Sequence, residues 1–329
     1  MNIPDQMKAV VIYEDGGPEM LKLESRPVPQ PEPGKTLIQV KAFGLNRSEM
    51  FTRLGHSKKV VTFPRILGIE CVGEVVSSPA GRYPEGQQVA VIMGGLGRAF
   101  DGSYAEYTLV PDGIIIPFQS SLPWEILGAV PEMCQTANGS LEVSLQLQPG
   151  ETLLVRGGTS SVGMMAAQLA KIKGCTVFST TRSMKKADAL TAIGVDQVFI
   201  DQGEIASEVR KLKPEGVDKV LELVGGNGIR DSLKCVRKHG IVCQTGYLSN
   251  DWRMDGFSPL GEIPSSVYLT SYAGENNDLS PELLQSFLNH IESGKLNLNI
   301  DRVFQLDQIV EAHRYMEENR ASGKLVVVN

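Results

Sequence analysis

Over the first third of the chain, apolar and polar positions alternate in short runs broken by glycine and proline. This period of two predicts strands over 7–13, 20–24, 36–43, 69–77, 87–93 and 103–111, with one short helix over 46–54. Pro27, Pro29, Pro31 and Pro33 make an extended connector closed by Gly34. Many short strands with turn signals predict an antiparallel, barrel-like domain. Near Leu122 the texture changes: Pro123 opens one helix and Pro131 a longer one, reaching about Leu145. After Pro149 and Gly150 the apolar stretch 152–155 reads as a buried strand. The spacing of Val162, Met165, Ala166, Leu169 and Ile172 then becomes helical, Gly174 stops the helix, and a strand follows over 175–181. The alternation continues as helix 185–193, strand 197–200, helix 204–212, strand 218–224, helix 229–238 and strand 241–245. Such a series predicts a doubly wound parallel sheet in an α/β fold. A stretch over 247–264 is long enough to be functional rather than a simple connection. The chain closes with strand 267–272, helix 281–291, strand 301–304, helix 307–318 and strand 323–328.

Composition narrows the class. A chain of 329 residues with 42% hydrophobic and 21% charged positions has the make-up of a soluble globular protein with room for two domains. No apolar run is long enough to span a membrane, and the first residues carry no secretory signal pattern, so the cytoplasm is the expected location. The net charge of −6 argues against a nucleic-acid partner, whose backbone calls for a basic surface. Cys71, Cys134, Cys175, Cys235 and Cys243 are scattered, with no C-x-x-C pair, and read as small buried hydrophobes rather than a disulfide or zinc framework.

The stretch Gly158, Thr159, Ser160, Ser161, Val162, Gly163 sits where a strand hands over to a helix. It approximates G-x-G-x-x-G, with Ser160 in place of the middle glycine; the serine adds bulk, but its hydroxyl can donate to a phosphate oxygen. An ordinary strand-to-helix turn would look similar. Strand before and helix and strand after favour a seat for a dinucleotide pyrophosphate at the bare helix N-terminus.

Several separate stretches together resemble one family. Met7 to Val11, the turn Gly44, Leu45, Asn46, the run Leu67 to Val75 and the run Asp101 to Tyr107 carry the likeness. So do Gln148 to Glu151, the turn at Gly158 to Gly163, Glu311, Ala312, His313, and the closing Gly323, Lys324. The chain resembles the medium-chain dehydrogenase/reductase superfamily, in its zinc-independent NADPH:quinone oxidoreductase branch, over nearly its whole length. The resemblance implies a Rossmann sheet inserted into a partly open, GroES-like β-barrel catalytic domain. Residues 1–127 and 273–329 would form the catalytic domain and residues 128–272 the dinucleotide-binding domain, with nicotinamide and substrate in the cleft between them.

Zinc-dependent relatives carry a cysteine at Asn46 and a Gly-His-Glu triplet at Gly68, Ile69, Glu70. Amide and isoleucine are poor replacements as ligands, so no metal is expected. Asn46 matches an asparagine near the nicotinamide in quinone reductases, and it also reads as the N-cap of the helix that follows. The resemblance places Thr136 near the nicotinamide, Val224 beside its ribose, and Gly246 and Tyr247 where main chain meets its carboxamide. With phenylalanine at 51, where some relatives have tyrosine, Asn46 and Tyr247 are the polar candidates for catalysis. His56, His239, His290 and His313 form no cluster and read as lone surface or core histidines.

The end of the second strand of the dinucleotide fold discriminates the cofactor. An NAD site has an acidic residue there, but no Asp or Glu occurs between Glu151 and Asp188. Arg182 and Lys186, four apart, can clasp a 2′-phosphate with Thr180, Thr181 and Ser183 alongside, which predicts NADPH. The expected reaction is hydride transfer from NADPH to a quinone or similar conjugated carbonyl. The alternatives are reduction of the C=C bond of an enone or 2-enoyl thioester, and a non-catalytic NADPH-binding sensor or structural protein, as the lens crystallins are among the relatives. The strand over 267–272 lacks an internal lysine or proline, and with the resemblance it predicts a homodimer through a sheet edge.

Overall fold

The structure, a computed structural model, describes residues 3–329. The chain divides into two compact units. One comprises the residues up to Glu132 together with Glu275–Gly294 and Leu298–Asn329; the other comprises Met133–Gly274 and Lys295–Asn297.

In the first unit the strands are β1 (Gln6–Ile12), β2 (Lys22–Pro27), β3 (Lys35–Gly44), β4 (Arg65–Ile66), β5 (Glu70–Ser77), β6 (Gln88–Ile92), β7 (Tyr107–Pro111) and β8 (Ile115–Pro117). The second unit holds β9 (Thr152–Arg156), β10 (Thr176–Thr181), β11 (Gln197–Ile200), β12 (Val217–Glu222), β13 (Val236–Gln244) and β14 (Tyr268–Ser271). The chain then returns to the first unit for β15 (Ile300–Gln305) and β16 (Lys324–Val328).

The first unit has a small sheet, β2-β1-β4, and a larger one in the order β15-β16-β3-β5-β6-β8, with β7 also paired to β3. Strand β16 lies antiparallel to β3, with Val327 opposite Phe43. The last strand of the sequence is therefore an interior strand of a sheet begun by the first forty residues. Its Leu325, Val326 and Val327 are buried, as an interior strand requires. This is the GroES-like, partly open barrel expected from the sequence.

The second unit is a six-stranded parallel sheet ordered β11-β10-β9-β12-β13-β14. The order runs outward in both directions from β9 and β12, so the switch point of a doubly wound fold lies between these two strands. Thr152 to Arg156 are all buried, which accounts for the unbroken apolar run. The helix Ser161–Ile172 covers β9 and β10 with Met164, Met165, Ala166 and Ala170. All five cysteines are buried, and none is in a disulfide. Among the described residues no helix is long and apolar enough to cross a membrane.

Several elements differ from the sequence-based expectation: β2 lies at Lys22–Pro27 instead of 20–24, the short β8 has no expected counterpart, and three further differences follow. The helix expected over 229–238 ends at Cys235, and β13 begins at Val236, five residues early. Val236 pairs with Val217, and an irregularity in the ladder together with His239 at φ 64° lets the strand resume at Ile241. Tertiary pairing of a β-branched residue here outweighs local helical spacing. The helix opened by Pro131 runs to Gly139 and widens to a π turn over Ser140–Ser144. The strand expected over 103–111 is ordered as β7 only from Tyr107.

Candidate functional site

The turn from β9 into the helix Ser161–Ile172 is built for close backbone approach. Gly157 has φ 86°, a conformation that favours glycine. At Gly163 a Cβ would stand 2.7 Å from the Gly157 carbonyl oxygen and 2.9 Å from Gly158 Cα, so only glycine lets the helix pack onto the turn. Ser160 occupies the N-cap: its hydroxyl donates to the Gly157 carbonyl at 2.8 Å and accepts from the Gly163 N–H at 3.2 Å. The hydroxyl hydrogen is thus spent inside the turn, a correction to its expected role as a donor to phosphate. What faces an anion at this terminus is the free backbone N–H groups and the helix dipole. Thr159, Ser160, Ser161 and Val162 remain half-buried at the turn.

At the end of β10, Thr180 is buried and accepts the Gly157 N–H at 3.0 Å, while its own carbonyl accepts the Gly158 N–H at 3.1 Å. Thr180 therefore fastens the glycine turn to the neighbouring strand. Thr181 bonds to Ser183 through its hydroxyl, shaping the exit from the strand. Arg182 is exposed and Lys186 half-buried; neither is engaged with a carboxylate. Val224, Gly225 and Gly226 follow β12, with φ 82° and 58° at the two glycines. The Glu222 carboxylate holds this turn by accepting from the Val224 N–H at 2.7 Å and the Gly225 N–H at 3.1 Å. Gly246 after β13 packs against Leu223, where a Cβ would stand 2.7 Å from the Leu223 carbonyl oxygen. Because the sheet is parallel, the turns after β9, β10, β12 and β13 gather at one end of it. Thr136 lies half-buried on the helix Pro131–Gly139, its carbonyl accepting the Ser140 hydroxyl at 2.7 Å.

Tyr247 stacks on Trp252, ring centroids 4.1 Å apart. The pair borders a cavity of about 410 Å³ that also includes Gln244, Ile229, Met254 and Leu269. Tyr247, Trp252, Arg253 and Met254 of the long 247–264 stretch supply part of the wall, so that stretch forms a surface rather than a simple link. Trp252 and Met254 carried no motif, and their part in the wall was not legible in the sequence.

Arg156, the last residue of β9, is 1% exposed. Its guanidinium donates to Asp201 at 2.8 and 3.1 Å, to Asp231 at 3.1 Å, to Ser232 at 3.1 Å, and to the carbonyls of Gly228 and Gly203 at 2.8 and 2.7 Å. Burial opposes its charge, yet Asp201, Glu222 and Asp231 outweigh burial and raise its pKa. The cluster fastens the first turn of the dinucleotide fold to the loops after β11 and β12. An arginine closing a fully buried strand was the available signal.

In the first unit, Asn46 is the N-cap of the helix Arg47–Arg53 and is 8% exposed. Glu49 reaches back to accept the Asn46 backbone N–H at 3.1 Å and also accepts the Ile69 N–H at 3.1 Å. The Asn46 side-chain Nδ2 donates to Glu70 Oε1 at 3.0 Å and Glu49 Oε1 at 3.3 Å, and its Oδ1 accepts from Lys324 Nζ at 2.6 Å. Lys324 is bound in turn to Glu70 at 2.9 Å, with Glu132 at 3.5 Å, and Glu70 accepts the Glu132 N–H at 2.8 Å. Gly44 must be glycine here, because a Cβ would run into Lys324 and Glu70. Burial alone would lower the Lys324 pKa, but Glu70 and Glu132 outweigh it and raise it, so the ammonium persists. A zinc ion does not fit this donor set. Position 69 is isoleucine, and the amide oxygen at 46 already faces a buried cation. Glu70 and Lys324 each open a mostly buried strand, and both fall in stretches that carry the family resemblance.

Burial pushes the Glu49 carboxyl up to about 7; the Ile69 N–H opposes this and Glu70 adds to it. A carboxyl held above its unfolded pKa stabilises the fold fully below about pH 4.5 and loses that contribution as pH rises through about 7. The loss is on the order of 3 kcal/mol. Urea unfolding of Glu49→Gln across pH 4.5 to 8, compared with the parent, is expected to show a flatter dependence. Parallel curves would refute the assignment.

His313, fully buried, meets the Tyr104 hydroxyl at 3.0 Å. Burial, with Arg53 nearby, pushes it down to about 3, so it stays neutral and structural at neutral pH.

Comparison with known proteins adds to this geometry. The alcohol dehydrogenase GroES-like domain model matches residues 32–120, and the zinc-binding dehydrogenase model matches residues 193–327. Prostaglandin reductase-3 of Mus musculus is 31% identical over 92% of this chain and 83% of its own length. Quinone oxidoreductase of Mus musculus is 27% identical over 98% of each chain. A mycobacterial protein solved in complex with NADPH superposes with a TM-score of 0.86 at 25% identity, over 98% of this chain and 100% of that one.

Proposed function

Starting from a chain that belongs to the medium-chain dehydrogenase/reductase superfamily, in its quinone oxidoreductase branch, we propose that it transfers a hydride from NADPH to a quinone or similar conjugated carbonyl without a catalytic metal. The observation that carries the reading is the parallel-sheet end at Gly157 to Gly163, with Arg182 and Lys186 unengaged beside it. The backbone N–H groups of the turn and the dipole of the helix Ser161–Ile172 hold the pyrophosphate. Arg182 and Lys186, with no acid at the strand end, hold the 2′-phosphate. Val224, Gly246 and Tyr247, with Thr136, flank the nicotinamide end.

NADPH supplies the hydride. A quinone or enone spreads the charge it receives over its conjugated system; the residues place the acceptor, and a proton from solvent or a weak donor completes the reduction. The Tyr247–Trp252 stack offers a flat aromatic face for such a ring, in a cavity that polar Gln244, Arg253, Thr270 and Ser271 also line. The buried Lys324 ammonium where zinc-dependent relatives bind metal supports the metal-free reading.

A second reading is reduction of a C=C bond in an enone or 2-enoyl thioester, favoured by the likeness to a protein named prostaglandin reductase. NADPH oxidation screened across quinones, enones and aldehydes, with and without a chelator, decides among these. Turnover of enals but not quinones selects the second reading. Loss of activity with the chelator refutes metal independence. Tight NADPH binding with no turnover of any acceptor points to a sensor or structural protein.

The cofactor choice has its own test. Removing one charge-assisted contact costs about 1.5–3 kcal/mol, roughly ten- to a hundredfold in affinity. Arg182→Ala is expected to weaken NADPH by that factor in a fluorescence titration and leave NADH unchanged. Equal weakening of both would show that Arg182 does not read the 2′-phosphate.

The homodimer belongs to this proposal. Strand β14 ends the sheet order, and Tyr268 is 55% exposed. Tyr272 donates its N–H to the Gln244 carbonyl, so residues 268, 270 and 272 turn their backbone groups towards β13. Leu269 and Ser271 present theirs to the outer edge, where the Ser271 carbonyl accepts the Ser144 hydroxyl at 3.2 Å and the Leu269 groups are left for a two-fold copy to pair. Sedimentation of the protein as a monomer at micromolar concentration would refute it.

A further inference from the structure

We propose that the acceptor is an acid: the cavity beside the Tyr247–Trp252 stack takes a flat conjugated carbonyl that carries a carboxylate, and Arg253 reads that carboxylate. The proposal rests on the reading of this cavity as the seat of the acceptor and adds one charge to it.

The cavity lies wholly within the second unit. Its volume of about 410 Å³ falls in the range of about 300–1,000 Å³ usual for small-molecule sites. Tyr247 and Trp252 stack with 18° between their planes, and Trp252 is 43% exposed, so a ring can be laid on the pair. Ile229, Met254 and Leu269 add apolar surface. Among the lining residues Arg253 alone is charged.

Arg253 differs from the other arginines of its unit. Arg156, Arg210, Arg230 and Arg237 are each tied to carboxylates or main-chain carbonyls. Only Arg182 and Arg253 are unengaged, and Arg182 is the residue assigned to the 2′-phosphate. The turn that carries Arg253 is itself fastened. The Ser249 N–H and hydroxyl both donate to the Val224 carbonyl, at 3.0 and 2.8 Å, and the Ser249 hydroxyl accepts the Asp251 N–H at 3.1 Å. The Asp251 carboxylate, nearest in sequence, accepts the Arg253 backbone N–H at 3.2 Å and leaves the guanidinium free.

A guanidinium presents a planar fork that matches the two oxygens of a carboxylate. Thr270 and Ser271 bring hydroxyls that have no hydrogen-bond partner among the described residues. One cation balances one negative charge. A phosphate, with nearly two, would be left half-neutralised here.

The test compares a naphthoquinone and an aryl enone, each as the carboxylic acid and as its methyl ester, so that the members of a pair differ in charge. The parent is expected to prefer the acid by about tenfold in kcat/KM, the difference lying in KM. Arg253→Gln is expected to bring the acid-to-ester ratio near one, Arg253→Lys to keep part of it, and Arg253→Glu to invert it, with NADPH affinity unchanged in all three. Arg253 is exposed and in no ion pair, so the fold does not depend on it. A parent without preference for the acid, a ratio that survives Arg253→Gln, or weakened NADPH binding in the variants overturns the proposal. If no acceptor is turned over, the functional reading fails and binding decides. Trp124 and Trp252 are the two tryptophans of the chain, so in a Trp124→Phe background the fluorescence reports on the cavity. Quenching by the acid at about tenfold lower concentration than by the ester, lost in Arg253→Gln, then upholds Arg253 as the reader of the carboxylate; equal quenching by both overturns it.

Discussion

Arg156→Met is expected to lower the stability of the protein by about 3–5 kcal/mol, the cost of removing one partner from a buried ionic cluster. Methionine keeps much of the volume of the arginine stem, so the loss isolates the charge. Asp201, Asp231 and Glu222 are then left together, and Glu222 is fully buried. Their mutual repulsion has no outlet at this end of the sheet. The effect reaches function through the backbone. Arg156 immediately precedes Gly157, and its guanidinium grips the carbonyls of Gly203 and Gly228. Denaturant unfolding of the variant measures the stability loss, and NADPH titration below its melting range measures the rest. A loss under about 1 kcal/mol, the value of an exposed pair, would show that the cluster is solvated and does not brace the turn.

Gly163→Ala is expected to abolish most NADPH affinity. The added methyl meets backbone on three sides: the Gly157 carbonyl at 2.7 Å, Gly158 Cα at 2.9 Å and the Gly158 carbonyl at 2.9 Å. No side chain can swing aside, so either the helix lifts from the turn or the turn opens. Overpacking of this kind costs about 1–3 kcal/mol. Expressed at the N–H groups that hold the pyrophosphate, the same energy is up to about a hundredfold in affinity. Alanine is otherwise favourable in a helix, so any loss comes from the close approach and not from helix propensity. The fluorescence titration used for Arg182→Ala reads this variant directly. Parental affinity would mean that the turn does not contact the cofactor.

Much of the fold was legible because its signals are local. The buried run Thr152 to Arg156, the stop at Gly174 and the helical spacing from Val162 each depend on neighbours within one element. Repeated four times, they specify a parallel α/β sheet with little help from tertiary contacts. The place of Asn46 on a helix N-cap was legible for the same reason, since a cap is a matter of the next three residues.

The partners of these residues were not legible. At Ser160 the sequence shows a hydroxyl at the spacing of a phosphate donor, but not that the Gly157 carbonyl takes its hydrogen. Helical spacing carried the reading of 229–238 past Cys235, where pairing of Val236 with Val217 turns the chain into a strand. Asn46 carried its chemistry in its residue type, but its amide oxygen accepts from Lys324, on a strand that joins the sheet only after the whole second unit has been threaded. The sequence by itself determined most of the elements, the glycine turn between Gly157 and Gly163, and the residue types at 46 and 69. The tertiary structure alone decided which charges are buried together, because burial and hydrogen-bond partners are properties of the packed chain and not of any window along it.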